Sequence, residues 1–164
     1  MKFAIVSDTH DNIANFTKVI NWLNKEGIKL ILHCGDISTQ ATITEAEKIF
    51  EGEIKYARGN ADYGLDDIPD KNEVEVESGN PSEISGRFSR KIAICHFPDM
   101  AKKLCQSKNY DLVFYGHTHK PWAENENGCK MINPGEMAGQ FYRPSFAVYD
   151  TEMDNLELKI IDQL

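Results

Sequence analysis

Short strand-like runs recur along the chain, and each stops at a glycine or a polar residue. Five such runs lie at residues 2–6, 29–34, 53–58, 91–95 and 111–115. Apolar segments of this length, bounded by turn-forming residues, are typical of buried β-strands. We therefore predict five strands over these ranges.

Helical periodicity lies between the early strands. Apolar side chains recur at helical spacing over residues 13–23, with Asn12 as a suitable N-cap and Gly27 as a suitable stop. A second helix is predicted over residues 39–50, capped by Ser38 or Thr39. The first helix and its flanking strands form a βαβ unit, so we expect the early part of the sheet to be parallel.

The second half of the chain contains both strand-like alternation and helical segments. Residues 73–77 alternate like a half-exposed strand, residues 78–82 are rich in turn formers, and Pro98 begins a predicted helix that runs to about Ser107. Turns at 126–128 and 153–155 predict hairpins, and residues 145–150 and 156–161 predict antiparallel strands. This order of elements favours two sheets with helices outside them.

Composition limits the class of protein. The 164 residues are 41% hydrophobic and contain no linker or repeat, which predicts one domain over residues 1–164. No apolar run approaches 18 residues and no signal-peptide pattern opens the chain, so we expect a cytoplasmic protein without a membrane span. A homo-oligomer is compatible with the sequence.

Charge and cysteine content argue against further classes of protein and site. Lys and Arg number 18 against 26 Asp and Glu, a net charge of -8, which argues against a broad nucleic-acid-binding face. Four cysteines, at positions 34, 95, 105 and 129, form no close pair in sequence. We therefore expect buried reduced thiols instead of disulfides, and no structural zinc.

Metal-capable residues follow all five strand-like runs. Four of the five histidines stand at these positions, with carboxylate and amide residues beside them. In open α/β sheets the ligand site lies beyond the carboxyl ends of the strands, so these side chains can converge. Each alone has an ordinary interpretation as a surface histidine, a turn residue or an N-cap, but seven together predict a metal site. The seven are Asp8, His10, Asp36, Asn60, His96, His117 and His119.

This ordered series resembles the calcineurin-like metallophosphoesterases, and within them the small single-domain archaeal and bacterial phosphodiesterases. Residues 132–135 and the strand at 145–150 match the same subgroup. The resemblance covers nearly the whole chain. It implies an α/β fold, a four-layer αββα sandwich of two mixed β-sheets flanked by helices.

The resemblance also implies two divalent metal ions per chain. Asp8, His10, Asp36 and His119 would hold the first ion, and Asp36, Asn60, His96 and His117 the second, with Asp36 as the bridge. Mixed oxygen and imidazole ligands suit Mn, Ni, Fe, Co or Zn. Such a pair can supply a hydroxide for in-line attack and clamp a phosphoryl oxygen.

Candidate residues beyond the ligands are fewer. Monoesterase-type members of the family carry an acid histidine where this chain has Ala61, so the usual acid is absent. The candidate catalytic residues are Asn60 and His96, which are also candidate ligands, and Asp62. Asn60, Arg58 and Phe97 are candidate substrate-binding residues. Arg58 could equally pair with a surface carboxylate, and Phe97 replaces a glycine usual in small members. We interpret His33, inside a strand, as a paired buried histidine.

These residues predict a hydrolase, a dinuclear metal-dependent phosphodiesterase acting on a small anionic phosphodiester. The alternative is a non-catalytic interaction scaffold of the same fold, because a retromer subunit uses this fold with a degraded metal site. A degraded site would lack a ligand, and none is lacking here. A nucleotide-binding protein without turnover is disfavoured because no glycine-rich phosphate loop has the expected spacing.

Overall fold

A computed structural model describes residues 1–78 and 88–164. Most of the turn predicted at 78–82 therefore lies outside the described residues. The elements follow one another as β1 (Lys2–Val6), α1 (Ile13–Lys25), β2 (Leu30–His33), α2 (Gln40–Ile49), β3 (Glu53–Tyr56), β4 (Lys71–Ser78), β5 (Phe88–Cys95), α3 (Pro98–Gln106), β6 (Leu112–Phe114), β7 (Trp122–Glu126), β8 (Cys129–Asn133), β9 (Ser145–Asp150), β10 (Asn155–Ile160) and a short 3-10 helix (Ile161–Gln163).

Ten strands in the described part of the chain form two mixed sheets of five. The first sheet has the order β10-β9-β1-β2-β3 and the second the order β4-β5-β6-β8-β7. β1, β2 and β3 run parallel, as the βαβ pattern predicted, and β9 and β10 add antiparallel strands at one edge. In the second sheet β5, β6 and β8 are parallel. The expected α/β class is thus confirmed.

The two sheets pack face to face. Phe3 and Ile5 on β1 meet Phe114 on β6 in one buried cluster, and the Phe3 and Phe114 rings lie 6.0 Å apart, edge to face. Alternate residues of β1 point the other way, because successive strand residues face opposite sides. Ala4 and Val6 accordingly pack against helices α1 and α2.

Helix α3 covers the second sheet from outside. Ala101 and Cys105 on this helix pack with Ala93 of β5 and Val113 of β6. Helices on both outer faces of two stacked sheets make the four-layer αββα sandwich. This architecture places the carboxyl ends of β1, β2, β5 and β6 at one edge of the molecule.

Local signals set the ends of the helices. Asn12 caps α1 by accepting a hydrogen bond from the backbone N–H of Asn15 at 3.1 Å. Gly27 follows the helix with φ of +70°, a conformation that glycine adopts without strain. Pro98 is the first residue of α3, where its missing N–H costs nothing. β3 ends at Tyr56, two residues before the predicted end.

The cysteine prediction is right for two residues and wrong for two. Cys34 and Cys95 are buried free thiols, and burial raises the pKa of Cys95 to about 12. Cys105 and Cys129 instead form a disulfide, with Cα atoms 5.3 Å apart. The pair is 24 residues apart in sequence, and the last turn of α3 brings Cys105 over the first residue of β8. Sequence spacing does not encode this packing.

No helix within residues 1–78 and 88–164 is long and apolar enough to cross a membrane.

Candidate metal centre

The loops after β1 and β2 are joined to each other by backbone hydrogen bonds. Asp8 donates its N–H to the carbonyl of Gly35 at 2.9 Å, and His10 donates to the carbonyl of Asp36 at 3.0 Å. Within the second sheet, Gly116 donates its N–H to the carbonyl of His96 at 3.0 Å. Across the sheets, His117 donates its N–H to Oδ2 of Asp8 at 3.1 Å. These bonds fix the strand-end loops as one connected layer.

The backbone in these loops is left-handed at five of the seven predicted ligands. Each such non-glycine residue costs on the order of 1–3 kcal/mol and persists only when the surrounding structure enforces it. The five positions are Asp8 (φ 52°), His10 (45°), Asp36 (56°), His117 (69°) and His119 (59°). The left-handed turns direct the side chains inward, away from the alternation a regular strand would give them.

Glycines let the loops approach one another closely. A Cβ atom at Gly116 would overlap Ser7 Oγ and lie 2.7 Å from Asp8 Oδ2. At Gly59 a Cβ atom would overlap Asp36 Oδ1. Side chains at either position would therefore displace a predicted ligand.

One group of ligand atoms lies between the loops after β1 and β6. Donor atoms of Asp8, His10 and His119 all fall within 4.8 Å of one another. His119 Nε2 lies 3.5 Å from Asp8 Oδ1, and the His10 and His119 rings stack with centroids 5.2 Å apart. The structure thus brings together three of the four residues predicted for the first ion.

A second group shares Asp8 with the first. Donor atoms of Asp8, Asp36 and His96 also fall within 4.8 Å of one another. Asn60 Oδ1 lies 3.0 Å from His96 Nε2 and 2.9 Å from His117 Nδ1. The structure thereby gathers the four residues predicted for the second ion.

Asp36 belongs to the second group and also faces His10 of the first. Its Oδ2 atom is 3.6 Å from His10 Nε2 and 3.4 Å from His96 Nε2. Its other oxygen, Oδ1, accepts the N–H of Ala61 at 2.7 Å. One carboxylate oxygen is therefore fixed by the backbone while the other faces histidines of both groups.

Burial shapes the charge of the carboxylates. The Asp8 side chain has no solvent exposure, and desolvation raises its pKa above the usual range in spite of nearby histidines. Burial also acts to raise the pKa of Asp36, but the hydrogen bond and positive charge of His96 outweigh it and lower that pKa. Burial acts to lower the pKa of His96, but the hydrogen bond and negative charge of Asp36 outweigh it, so this pKa is raised.

The residues present fit divalent cations. His10 Nε2 is buried and has no hydrogen-bond partner among the described residues, an arrangement that costs roughly 1–3 kcal/mol. Buried, closely spaced carboxylates such as Asp8 and Asp36 repel each other unless positive charge lies between them. Oxygen and imidazole donors are the set that Mn, Fe, Co, Ni and Zn accept.

Two of the candidate ligand histidines are oriented by hydrogen bonds on the side away from the centre. His96 donates from Nδ1 to the carbonyl of Cys34 at 2.9 Å, and His119 donates from Nδ1 to Glu136 at 2.8 Å. Each bond fixes the tautomer in which Nε2 carries no proton, so that its lone pair can bind a metal.

Glu136 was not foreseen from the sequence. Its buried carboxylate accepts N–H groups from Gln140 at 2.9 Å and Phe141 at 2.6 Å, as well as from Tyr142. It therefore joins His119 to the loop before β9. The only local signal is its position directly after Asn133-Pro134-Gly135.

Asn133 holds the loop that carries His117 and His119. Its amide nitrogen donates to the carbonyl of Gly116 at 2.8 Å and to Thr118 Oγ1 at 3.0 Å. Its amide oxygen accepts the N–H of Gly135 at 2.8 Å. Asn133 thus supports the site without facing it.

Asp62 joins two loops of the site by hydrogen bonds. Its carboxylate accepts backbone N–H groups from residues of the β2 loop and from the residue before Asn60, at 2.6 to 2.9 Å. The four donors are Asp36, Ile37, Ser38 and Gly59. This candidate catalytic carboxylate is therefore directed to the backbone.

Arg58 and His33 have partners outside the centre. Arg58 bonds Asp70 at 2.8 and 3.0 Å and Asp66 at 3.1 Å, the surface-carboxylate alternative. His33 is fully buried, accepts the N–H of Gly35 at 3.2 Å and donates to Thr9 Oγ1 at 2.8 Å, as expected of a paired core histidine. Its burial lowers its pKa to about 4.

Two exposed rings stand against the ligand histidines. The centroid of Phe97 lies 5.0 Å from both His96 and His117, and that of Phe141 lies 4.9 Å from His119. Phe97 is one of the candidate substrate-binding residues, whereas no sequence motif marks Phe141.

Comparison with known proteins agrees with this geometry. The family model of the calcineurin-like phosphoesterase superfamily domain matches residues 1–154. The chain is 32% identical over 162 residues to a phosphodiesterase of Methanocaldococcus jannaschii, covering 93% of this chain and 94% of that protein.

Solved structures give the same result. One described as a novel archaeal phosphodiesterase has a TM-score of 0.81 and 30% identity, covering 98% of this chain and 99% of its own. Vps29 of Chaetomium thermophilum has a TM-score of 0.71 over 97% of this chain and 94% of its own. At 16% identity, that likeness concerns the fold alone.

The family match spans most of the chain, including every strand-end residue discussed above, and the fold agrees with the expected four-layer sandwich. The resemblance seen in the sequence is confirmed, and the chain belongs to the calcineurin-like phosphoesterase superfamily.

Proposed function

We propose that the chain is a dinuclear, divalent-metal-dependent phosphodiesterase that hydrolyses a small phosphodiester. The observation that carries this proposal is the place of Asp36 Oδ2, 3.6 Å from His10 Nε2 and 3.4 Å from His96 Nε2. A buried carboxylate oxygen facing histidines of both groups suits a bridge between two cations. The proposal treats residues 1–164 as one domain.

The proposed ligand assignment adds Asp36 to the first group, and Asn60 and His117 to the second. Asp8, His10, Asp36 and His119 would hold the first ion, and Asp36, Asn60, His96 and His117 the second. Bound there, two divalent ions would lower the pKa of water to near neutrality and neutralise charge on the phosphoryl oxygens. Asp8 lies in both groups, so its carboxylate supplies a further negative charge that both cations would share.

The chain's own residues hold the ligands and position the substrate. Glu136 and the carbonyl of Cys34 keep the Nε2 atoms of His119 and His96 directed inward. Asp62 keeps the Asp36 and Asn60 loops at a fixed separation, so we assign it a positioning role instead of an acid role. Asn60 is exposed at the mouth of the site, where its amide can contact a phosphoryl oxygen.

The proposed substrate has a good leaving group. Position 61 is alanine, Asp62 bonds four backbone amides, and His33 is buried with a pKa of about 4 and is neutral at pH 7. None of these three supplies a proton to a departing oxygen. Without such help, hydrolysis favours esters whose alcohol is already acidic.

A singly charged diester also fits the arrangement of cationic side chains. Arg58, two residues before Asn60, bonds Asp66 and Asp70 and is not directed to the centre. A dianionic monoester would gain more from a free guanidinium than a monoanionic diester would. The paired arginine therefore supports the diester.

The test begins with protein stripped by a chelator. Mn, Fe, Co, Ni and Zn are restored one at a time, and hydrolysis of bis(p-nitrophenyl) phosphate is compared with that of p-nitrophenyl phosphate. We expect turnover of the diester to return with metal and to exceed turnover of the monoester. Inert protein with two ions per chain would refute the proposal.

The alternative is a non-catalytic interaction scaffold. The likeness to Vps29 in fold and the exposed Phe97 and Phe141 favour it. The presence of all seven candidate ligands at one sheet edge favours the enzyme. Protein that binds metal, stays inert and pulls down a partner through this face would replace the enzyme with the scaffold.

A further inference from the structure

Most phenylalanine rings of this chain lie in the core. Of the seven whose side chains the structure describes, five are buried and two are exposed. The exposed ones are Phe97 at 40% and Phe141 at 72% exposure. Both are in ring contact with a candidate ligand histidine. Single exposed apolar residues need no explanation, but here both lie at the metal centre.

The two rings stand beside different parts of the centre. Phe97 contacts His96 and His117, which are assigned to the second ion. Phe141 contacts His119, which is assigned to the first, and meets that ring at 86°. A phosphodiester carries one organic substituent on each side of its phosphate. One ring is thus available to each substituent.

Hydrogen bonds fix the backbone of both residues. Phe141 donates its N–H to the buried Glu136 at 2.6 Å, and its neighbours Gln140 and Tyr142 bond the same carboxylate. The carbonyl of Phe97 accepts the N–H of Ala101 in the first turn of α3 at 3.0 Å. Because the backbone is already ordered, binding a planar partner on these rings does not include the entropic cost of ordering a loop.

We infer that the substrate carries planar aromatic substituents on its phosphate, and that Phe97 and Phe141 are the residues that select them. The inference rests on the proposed phosphodiesterase function and deepens it. Aromatic faces stack on any planar ring, so the recognised chemistry is an aryl group or a nucleobase.

The experiment keeps the leaving group constant. Methyl, phenyl and thymidine 5′ esters of p-nitrophenyl phosphate release the same nitrophenolate and differ only in the substituent that stays on phosphorus. We expect kcat/KM to be roughly 5- to 100-fold higher for the phenyl or thymidine ester than for the methyl ester. The phenyl and thymidine arms distinguish a simple aryl pocket from a nucleobase pocket.

Variants connect the preference to the rings. Phe97→Leu/Phe141→Leu together should lower the phenyl-to-methyl ratio to near one, with metal content unchanged, and the single variants show which ring holds the retained substituent. Met153→Ala is the control, an exposed apolar residue in the turn after β9, at the opposite end of β1 from the centre. A wild-type ratio near one, or a double variant that keeps the ratio, would overturn the inference while leaving the phosphodiesterase intact.

A binding measurement separates this inference from turnover. Calorimetric titration of the metal-loaded protein with phenylphosphonate and methylphosphonate needs no hydrolysis. Tighter binding of phenylphosphonate that disappears in the double variant supports the aromatic pocket even if no ester is hydrolysed. Equal affinities overturn it.

Discussion

Nδ1 of His119 lies 2.8 Å from Oε2 of Glu136, a carboxylate without solvent exposure. The same carboxylate bonds three consecutive backbone amides of residues 140–142. The orientation of a candidate ligand histidine and of the loop that presents Phe141 therefore depends on one side chain.

Glu136→Ala should weaken metal binding by about 10–100-fold, because the orientation and basicity of His119 depend on this hydrogen bond. Glu136→Gln keeps an acceptor for the loop amides and should be milder. Metal affinity is measured by titrating chelated protein with Zn or Mn. Glu77→Gln, on an exposed strand position, is the control and should match the wild type. Unchanged affinity in Glu136→Ala would remove Glu136 from the support of the centre.

Asp36→Asn should lower metal content from two ions towards none, since it removes the negative charge facing both groups. The substitution keeps an oxygen that can accept the N–H of Ala61, so the loop is retained. His10→Ala should affect mainly one ion. Elemental analysis of both variants decides the assignment. Two ions still bound to Asp36→Asn protein would show that Asp36 is not the bridge.

Asn60→Ala should lower turnover more than metal content, because an amide oxygen is a weak ligand and the amide lies where the phosphoryl group approaches. Loss of one group that stabilises developing charge typically costs about 10²–10³ in kcat. Turnover at saturating metal is compared with that of Asn109→Ala, an exposed asparagine elsewhere. Wild-type turnover in Asn60→Ala would exclude it from the site.

Ala61→His should speed alkyl esters more than nitrophenyl esters, because general acid help is worth about 10²–10⁴-fold and matters most for poor leaving groups. The Ala61 N–H bond to Asp36 involves the backbone and survives the change. Rates across diesters of graded leaving-group pKa should therefore depend less steeply on that pKa in the variant. A shallow dependence in the unmodified protein would reveal an acid other than Asp62 or His33.

His33 should make the metal-free protein sensitive to mild acid. Its pKa is about 4 when folded, against 6.5 for an exposed histidine, so the unfolded chain binds the extra proton between these values. Stability is therefore full above pH 6.5 and falls as the pH drops towards 4, by about 3 kcal/mol at the limit. His33→Gln, which cannot titrate, should flatten this part of the pH profile of the unfolding free energy. Denaturant titrations in chelator at pH 4 to 7 measure it, and parallel profiles would contradict the assignment.

The parts of the fold that sequence predicts are those with local causes. Asn12 caps α1 and Pro98 begins α3 because caps and first-turn prolines act within a few residues. The candidate ligands could be predicted because each lies within a few residues of the end of a strand. Glu136 was missed because it meets His119 across 17 residues of chain, and the Cys105–Cys129 pair because helix packing creates it.

Asp62 shows the same limit in a different way. As a carboxylate near Asn60 it is a candidate catalytic residue, yet its carboxylate accepts hydrogen bonds from four backbone amides, three of them in the loop after β2. The sequence identifies the side chain, but it does not show the direction of the backbone amides that pack against it in the fold. Proximity along the chain was therefore a poor guide to its chemistry.

The left-handed backbone at Asp8, Asp36 and His117 has a consequence for engineering. Copying the seven side chains onto regular strand ends of another α/β scaffold would aim them in the wrong directions. The unit that can be transplanted is the set of loops, with Gly59 and Gly116 included and Asp62 and Asn133 carried along as braces. A graft of side chains alone should bind no metal pair.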